Sequence, residues 1–460
     1  PPTLVSFAVA PGNTRLALSP EFKQVESNIY FIQIERDDQH MPDFKALLQV
    51  ADILYTENEA GNILSIHSLA EGGIAAGISK MAFGNMIGAK LETALDLFKE
   101  RYVSFLIETS GDLPEALRAT VIGTTTEEPS IMANGETHEL SALCDSWMSP
   151  LESTYPVRQK PAHRELDTFS HTRKARIEKH NTPISPKVVI PTFPGTNCEY
   201  DTARAFREAG AETETLVFRN LSPEHIEESL KKLADQILES QILMLPGGFS
   251  AGDEPDGSGK FIATVLRNPR ISDAVMDLIK NRDGLILGIC NGFQALIKTG
   301  LVPYGEMREP FAGDHKEAQA YGSGQPTLTF NDIGRHVSCY ATTRIASNLS
   351  PWLANCQVND LHNVPFSHGE GKFYASEKEI RQLAANGQIA TQYTNLEGHP
   401  SMDIRHNPNG SLYAIEGITS PCGRVFGKMG HTERRGTNIA KNIPGNKHQP
   451  LFKAGVSYFS

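Results

Sequence analysis

The rhythm of apolar and polar positions changes along this chain near residues 150 to 186. Before that stretch, Leu4 to Val9, Ile29 to Ile32 and Tyr102 to Ile107 are short, largely apolar runs of strand length. Gly72 to Phe83 instead sets Ile74, Ile78 and Met81 at helical spacing. Strands and a helix without strict alternation predict an α+β lobe over residues 1–150. After the change, strand and helix patterns alternate. Lys187 to Ile190 leads through a Pro/Gly turn into an amphipathic run from Glu199 to Ala209, and Thr215 to Phe218 precedes a helical pattern through Leu238. Gln241 to Leu245 and Gly284 to Ile289 are further short apolar strands. This alternation predicts an α/β, doubly wound parallel sheet over residues 187–460, whose functional residues lie just past the carboxyl ends of strands.

Residues 151–186 predict a linker. Prolines at 150, 156, 161, 183 and 186 punctuate a polar stretch carrying Arg158, Lys160, Arg164, Arg173, Lys174, Arg176 and Lys179. Its basic character does not carry over to the chain, whose formal charge is -11, so a nucleic acid or an anionic membrane is not the expected partner. With 39% hydrophobic and 21% charged residues and no apolar run near the roughly 18 residues of a membrane span, the composition predicts a soluble, cytoplasmic protein. The six cysteines (Cys144, Cys198, Cys290, Cys339, Cys356, Cys422) form no CxxC pair, which argues against a zinc ribbon, a disulfide framework or a dithiol redox site. The start at Pro1 has no basic or cleavage-site pattern and reads as a cut end.

Candidate chemistry narrows the second region further. The nucleophile-elbow pattern Gly-x-Nuc-x-Gly occurs twice, as Gly248 to Gly252 around Ser250 and as Gly288 to Gly292 around Cys290. Small residues on both sides of the nucleophile permit a strained turn from strand to helix that lifts the reactive atom toward substrate. Cys290 follows a strand pattern and precedes a helical run that stops at Gly300, whereas Ser250 runs into a loop rich in Gly, Asp and Pro. A helix N-terminus should lower the thiol pKa and populate the thiolate. Such a thiol needs a base and a group that orients the base. His431 and Glu433 stand two residues apart and face one side of an extended segment. The backbone N–H groups of Gly248 and Asn291 are the candidate oxyanion donors. Two motifs are set aside: Gly252 to Lys260 fails the spacing of a phosphate-binding loop, and Ser367 to Gly371 reads as a turn more than as a second His/Glu site. No metal ligand set is expected.

Six ordered segments give a resemblance. Phe193 to Cys198, Pro246 to Ser250, Gly288 to Gln294, Ser367 to Gly371, Asn407 to Ser411 and His431 to Arg434 are similar to the glutaminase part of the phosphoribosylformylglycinamidine synthase family. Upstream, His67 to Ile74 with Met81 to Phe83 resembles the H-D-x-S-D-G-G-L and E-M-A-F pattern in the last lobe of that family's synthetase repeats, with departures at Ser68, Ala70 and Glu71. Gly430 and Thr432 replace the prolines of the family's M-P-H-P-E-R, which implies a looser loop around the base.

The resemblance implies a flavodoxin-like class I glutaminase joined to the C-terminal portion of a large single-chain synthase. In this reading Cys290, His431 and Glu433 release ammonia from glutamine, and Gln294 contacts the glutamine. Formylglycinamide ribonucleotide, ATP and Mg2+ belong to a synthetase centre mostly upstream of residue 1. The alternatives are a glutaminase of another synthetase, a hydrolase built on Ser250, and a scaffold without catalysis.

Overall fold

The computed structural model describes residues 6–153, 166–172, 185–252, 259–308 and 326–459, and the chain divides into two units, Pro1–Pro156 and Val157–Ser460. In the first, the strands are β1 (Asn28–Ile32), β2 (Ile63–Ser68), β3 (Gly88–Leu91), β4 (Phe105–Thr109), β5 (Thr120–Thr126), β6 (Ser130–Ala133) and β7 (Glu136–Glu139). They form one sheet in the order β2-β4-β1-β5-β3-β6-β7. Successive side chains of a strand point to opposite faces, and β1 obeys this rule. Ile29 and Phe31 pack with Ile74, Ile78 and Met81 of helix α2 (Gly73–Phe83), while Tyr30 and Ile32 pack with Val50 and Leu54 of helix α1 (Phe44–Glu59). The sheet therefore carries a helix on each face, an α+β lobe.

Two strand expectations shift in this unit. Residues 6–9 form no strand, and Phe7 and Val9 are exposed, because no partner strand among the described residues lies alongside to bury an apolar face. The run from Tyr102 pairs only from Phe105 onward, since Val103 takes φ 61°, outside the strand region.

The second unit is built on β8 (Lys187–Thr192), β9 (Glu212–Val217), β10 (Ile242–Leu245), β11 (Leu285–Ile289) and a later strand, Val425–Lys428. These five pair in parallel, in the order β9-β8-β10-β11 followed by Val425–Lys428. Ranked by chain position this is 2-1-3-4-5, the flavodoxin-like order. Val188 to Ile190, Ile242 to Leu245 and Leu285 to Ile289 are buried, as expected of parallel strands covered on both faces. The helices Glu199–Glu208, Pro223–Glu239 and Asn291–Thr299 follow strands, each close to its expected bounds, and a further helix, Pro269–Lys280, was not foreshadowed. Pro223–Glu239 begins with a Ser222 side chain accepting the His225 N–H and turns Leu230, Leu233 and Ile237 inward.

The sequence pattern did not foreshadow the rest of this sheet. Beyond Val425–Lys428 it continues through four antiparallel strands, Ile415–Thr419, Ile389–Thr394, Val337–Ile345 and Leu361–His368. Part of the expected linker also belongs to this unit: Leu166 and Phe169 pack on its core, and the Arg344 guanidinium donates to the Phe169 carbonyl. The basic residues named above between 158 and 179 lie outside the described residues.

Candidate active site

Four strand ends of the parallel sheet converge on one place. Strand β11 ends at Ile289, and Cys290 then takes φ 52° and ψ -106° before the helix Asn291–Thr299 begins. A non-glycine residue at positive φ is strained, and here the turn is packed by glycines. A Cβ on Gly292 would meet the Leu245 carbonyl oxygen at 2.0 Å, and one on Gly288 would press on the Gly292 backbone at 2.8 Å. Ser250 lies in a single 3-10 turn in which Ala251, not the serine, has positive φ; its N–H donates to Asn291 Oδ1 over 3.3 Å, and the next α-helix among the described residues starts at Lys260. Of the two elbow patterns, only Cys290 has the elbow backbone.

The strand Val425–Lys428 runs parallel to β11, with Ile289 opposite Lys428, so the segment that carries His431 leaves the sheet beside the strand end that leads to Cys290. His431 Nδ1 and Glu433 Oε1 are 2.6 Å apart and both side chains are buried. The carboxylate fixes the tautomer: Nδ1–H donates to Glu433, which leaves Nε2 as an acceptor. Nε2 has no hydrogen-bond partner among the described residues. Burial alone would raise the Glu433 pKa, but the electrostatic attraction and hydrogen bond of His431 outweigh it and hold the carboxyl below its usual range.

Cys290 is itself buried, and its thiol lies 3.6 Å from the Ser367 carbonyl, to which it donates. Burial, with a smaller contribution from Cys198, pushes its pKa up to about 12; Arg434 and the Asn291 N–H offset only part of this. The expectation of a depressed thiol pKa at the helix N-terminus is thereby corrected. In this state Cys290 is a thiol, and a thiolate forms only when a base takes the proton.

Gly247 and Gly248 follow β10. The isolated bridge between Thr196 and Gly248 is closed by Asn197 N–H to Gly247 O and Phe249 N–H to Gly195 O, so it leaves the Gly248 N–H unused. Gly248 has φ +144°, and a Cβ there would lie 2.7 Å from the Gly195 oxygen, so the strand end requires glycine. Gln294 makes one hydrogen bond within the protein at each end of its amide. Its Oε1 accepts from Asn291 Nδ2 at 2.9 Å and its Nε2 donates to the Glu370 carbonyl, so its amide ties the helix after the elbow to the turn at His368 to Gly371. That turn is stapled by Asn331, whose amide donates to the His368 carbonyl and accepts the Gly371 N–H. Asn409 donates to the Gly371 carbonyl and to the Tyr393 hydroxyl. The segments Ser367 to Gly371 and Asn407 to Ser411 thus form one scaffold.

Sequence reasoning passed over three neighbours of the base. Cys198, just past β8, sits 3.8 Å from His431 Nδ1 and 3.0 Å from an Arg434 nitrogen, and burial pushes its pKa up to about 12. Lys428 and Glu416 are wholly buried and 3.5 Å apart. The available signal was a charged residue inside each of two apolar strand runs. Cys198, His431 and Glu433 have donor atoms within 4.8 Å of one another. The 2.6 Å between Nδ1 and Oε1 is a hydrogen bond, however, shorter than the roughly 3.3 Å between two ligands of a tetrahedral zinc. A cavity of about 780 Å³ opens beside this loop, bordered by Arg204, Tyr340, Pro365, Arg434, Arg435 and Lys447.

A thiol on a strained elbow, a carboxylate-oriented imidazole and a Gly248 N–H that its bridge leaves unused, all at the ends of parallel strands, are the parts that cysteine acyl transfer of the class I glutaminase kind requires. Residues 185–459 match the family model described as a CobB/CobQ-like glutamine amidotransferase domain, and the chain belongs to that family. Among curated relatives, phosphoribosylformylglycinamidine synthase subunit PurQ of Methanococcus maripaludis is 38% identical over 252 residues, covering 55% of this chain and 83% of that protein. The subunit of the same name from Treponema denticola is 35% identical over 289 residues, covering 60% of this chain and 99% of its own length. The second unit is a PurQ-like glutaminase domain. Among solved structures, that of PurLQS from Thermotoga maritima matches 60% of this chain and all of its own with 22% identity and a TM-score of 0.42. No helix among the described residues is long and apolar enough to cross a membrane.

Proposed function

We propose that Cys290, His431 and Glu433 hydrolyse glutamine, and that the ammonia supports the ATP-dependent conversion of formylglycinamide ribonucleotide to formylglycinamidine ribonucleotide in purine biosynthesis. The observation that carries the site assignment is the Cys290 elbow, with a carboxylate-oriented His431 whose Nε2 is left open. Glutamine binding brings its amide carbon to the sulfur. The Cys290 proton passes to His431 Nε2 and the sulfur adds to the carbon, giving an oxyanion held by the N–H groups of Gly248 and Asn291. The imidazolium returns the proton to the amide nitrogen, the C–N bond breaks, and ammonia leaves a γ-glutamyl thioester. Water, deprotonated by His431, then cleaves the thioester to glutamate and regenerates the thiol. Gln294 acts here by positioning the elbow helix.

The likeness of His67 to Ile74 to a synthetase-repeat motif, and the separate α+β unit that carries it, support a single-chain arrangement of synthetase and glutaminase. In that arrangement ATP, Mg2+ and the ribonucleotide bind the synthetase half, and the glutaminase unit needs no cofactor. Two assays test this reading. Cys290→Ala should abolish glutamate release, and retention of turnover would overturn the site assignment. Glutamine turnover by the assembled synthase should rise when ATP and formylglycinamide ribonucleotide are added; turnover indifferent to both would separate this chain from that reaction.

A further inference from the structure

We propose that Lys428 is a positioning residue for the glutaminase reaction, holding nucleophile and base in register from one side chain and its own carbonyl. The proposal rests on the roles of Cys290 and His431 given above. The Lys428 carbonyl accepts the Cys290 N–H at 2.9 Å, so the residue fixes the backbone of the strained elbow. Its ammonium turns the other way along the chain. Nζ donates to the Gly430 carbonyl at 2.9 Å and to Thr432 Oγ1 at 2.8 Å, and it lies 3.5 Å from Glu416 Oε1. Two of the ammonium's donors are spent on Gly430 and Thr432, and its charge faces the Glu416 carboxylate.

Glu416 completes the clamp. Oε1 accepts the Gly430 N–H at 2.7 Å, and Oε2 accepts the Thr391 hydroxyl. Both polar backbone groups of Gly430 are therefore held by the ion pair. The Thr432 hydroxyl donates to Gln449 Oε1 at 3.0 Å, and the backbone N–H of His431 donates to the Pro365 carbonyl at 2.8 Å. Three consecutive residues around the base are tied down where the related motif has two prolines.

The ion pair also helps to enclose position 430 so tightly that a side chain there would be crowded. A Cβ at this position would lie 2.8 Å from the Phe366 ring and 3.1 Å from both Glu416 Oε1 and Lys428 Nζ. A buried ion pair adds little stability over apolar side chains of the same shape, so its geometric role is the better reason for its place here. The expected looseness of a loop without prolines is thus met by hydrogen bonds.

The test uses the full chain, with thermal melting to confirm folding. Thr432→Val removes the hydroxyl without changing shape, and Thr432→Ser restores it. Lys428→Met with Glu416→Gln removes both charges together and leaves neither unpaired. For Thr432→Val we expect kcat for glutamine hydrolysis to fall about tenfold, and for the double variant about a hundredfold, with KM little changed. The rate of Cys290 alkylation by iodoacetamide should fall in parallel, because it depends on His431 drawing the thiol proton. Thr432→Ser should stay close to the wild type. Wild-type kcat and alkylation in Thr432→Val, or in a folded double variant, would overturn the proposal. His431→Gln separates the two levels: if it is inactive while the clamp variants are normal, only the role of Lys428 fails. If it retains turnover, the catalytic reading fails and the proposal with it.

Discussion

Gly247→Ala adds one methyl group to the wall against which the His431 ring packs. The Cβ would lie 2.6 Å from His431 Cε1, 3.2 Å from Cys198 Sγ and 3.4 Å from His431 Nδ1. Non-bonded carbons settle at about 3.5 Å or more, so the ring must retreat by about 1 Å. It cannot do so while keeping the 2.6 Å hydrogen bond to Glu433 on one side and Cys198, 3.8 Å away, on the other. Gly247 is not at positive φ, so alanine brings no backbone strain of its own. A misplacement of about 1 Å in a catalytic group costs on the order of a hundredfold in rate, close to 2.7 kcal/mol of transition-state stabilisation. Initial rates of glutamate release over a range of glutamine concentrations should show that loss in kcat, with the melting temperature within a few degrees of wild type. A folded Gly247→Ala protein with wild-type kcat would refute the placement of His431 as the base.

Three further outcomes follow from the same geometry. Gly248→Ala forces a side chain at φ +144° and 2.7 Å from the Gly195 oxygen, displacing the N–H proposed as an oxyanion donor; kcat should fall by about 100- to 1000-fold, and a near-normal kcat would exclude this N–H from the oxyanion hole. Glu433→Gln should cost kcat on the order of 10⁴-fold by favouring the wrong His431 tautomer, with the fold retained; a loss below tenfold would contradict its orienting role. Acid should destabilise the protein through two histidines, because burial lowers the His368 pKa to about 3 and the His362 pKa to about 4 from an ordinary 6.5. Above 6.5 both are neutral in either state. As pH falls below it, the unfolded chain takes up protons that the folded chain refuses, so unfolding free energy should drop by up to about 1.4 kcal/mol per pH unit for each histidine until the folded pKa is reached. His362→Gln should flatten the slope measured by denaturant titration between pH 6 and 4; an unchanged slope would refute its share.

The elbow was legible in sequence because its determinants are local: an apolar strand, two glycines around Cys290, and a helix ending at Gly300. The pairing of His431 with Glu433 was legible for the same reason, as two residues on one side of an extended segment. Their place beside the strand end that leads to Cys290 depends on the parallel pairing of Ile289 with Lys428, which no local pattern encodes. The same limit hid the Lys428–Glu416 pair, whose partners meet only when Val425–Lys428 lies against Ile415–Thr419. The helix N-terminus suggested a reactive thiolate, but burial dominates the Cys290 thiol, and burial is a property of packing. Gln294 stood out from its place after the elbow, but its bonds to Asn291 and to the Glu370 carbonyl join segments that only the fold brings together. Leu4 to Val9 had the composition of a strand, yet residues 6–9 have no neighbour among the described residues with which to pair.

The central claim is that Cys290 attacks the amide carbon of glutamine. The most direct measurement is peptide mass spectrometry after incubation with a diazoketone analogue of glutamine, run on the wild type and on His431→Gln. The account predicts a single adduct on the peptide containing Cys290, suppressed by excess glutamine and formed far more slowly without His431. An adduct on Cys198 or another cysteine, or labelling of Cys290 that neither glutamine nor His431 affects, would contradict it.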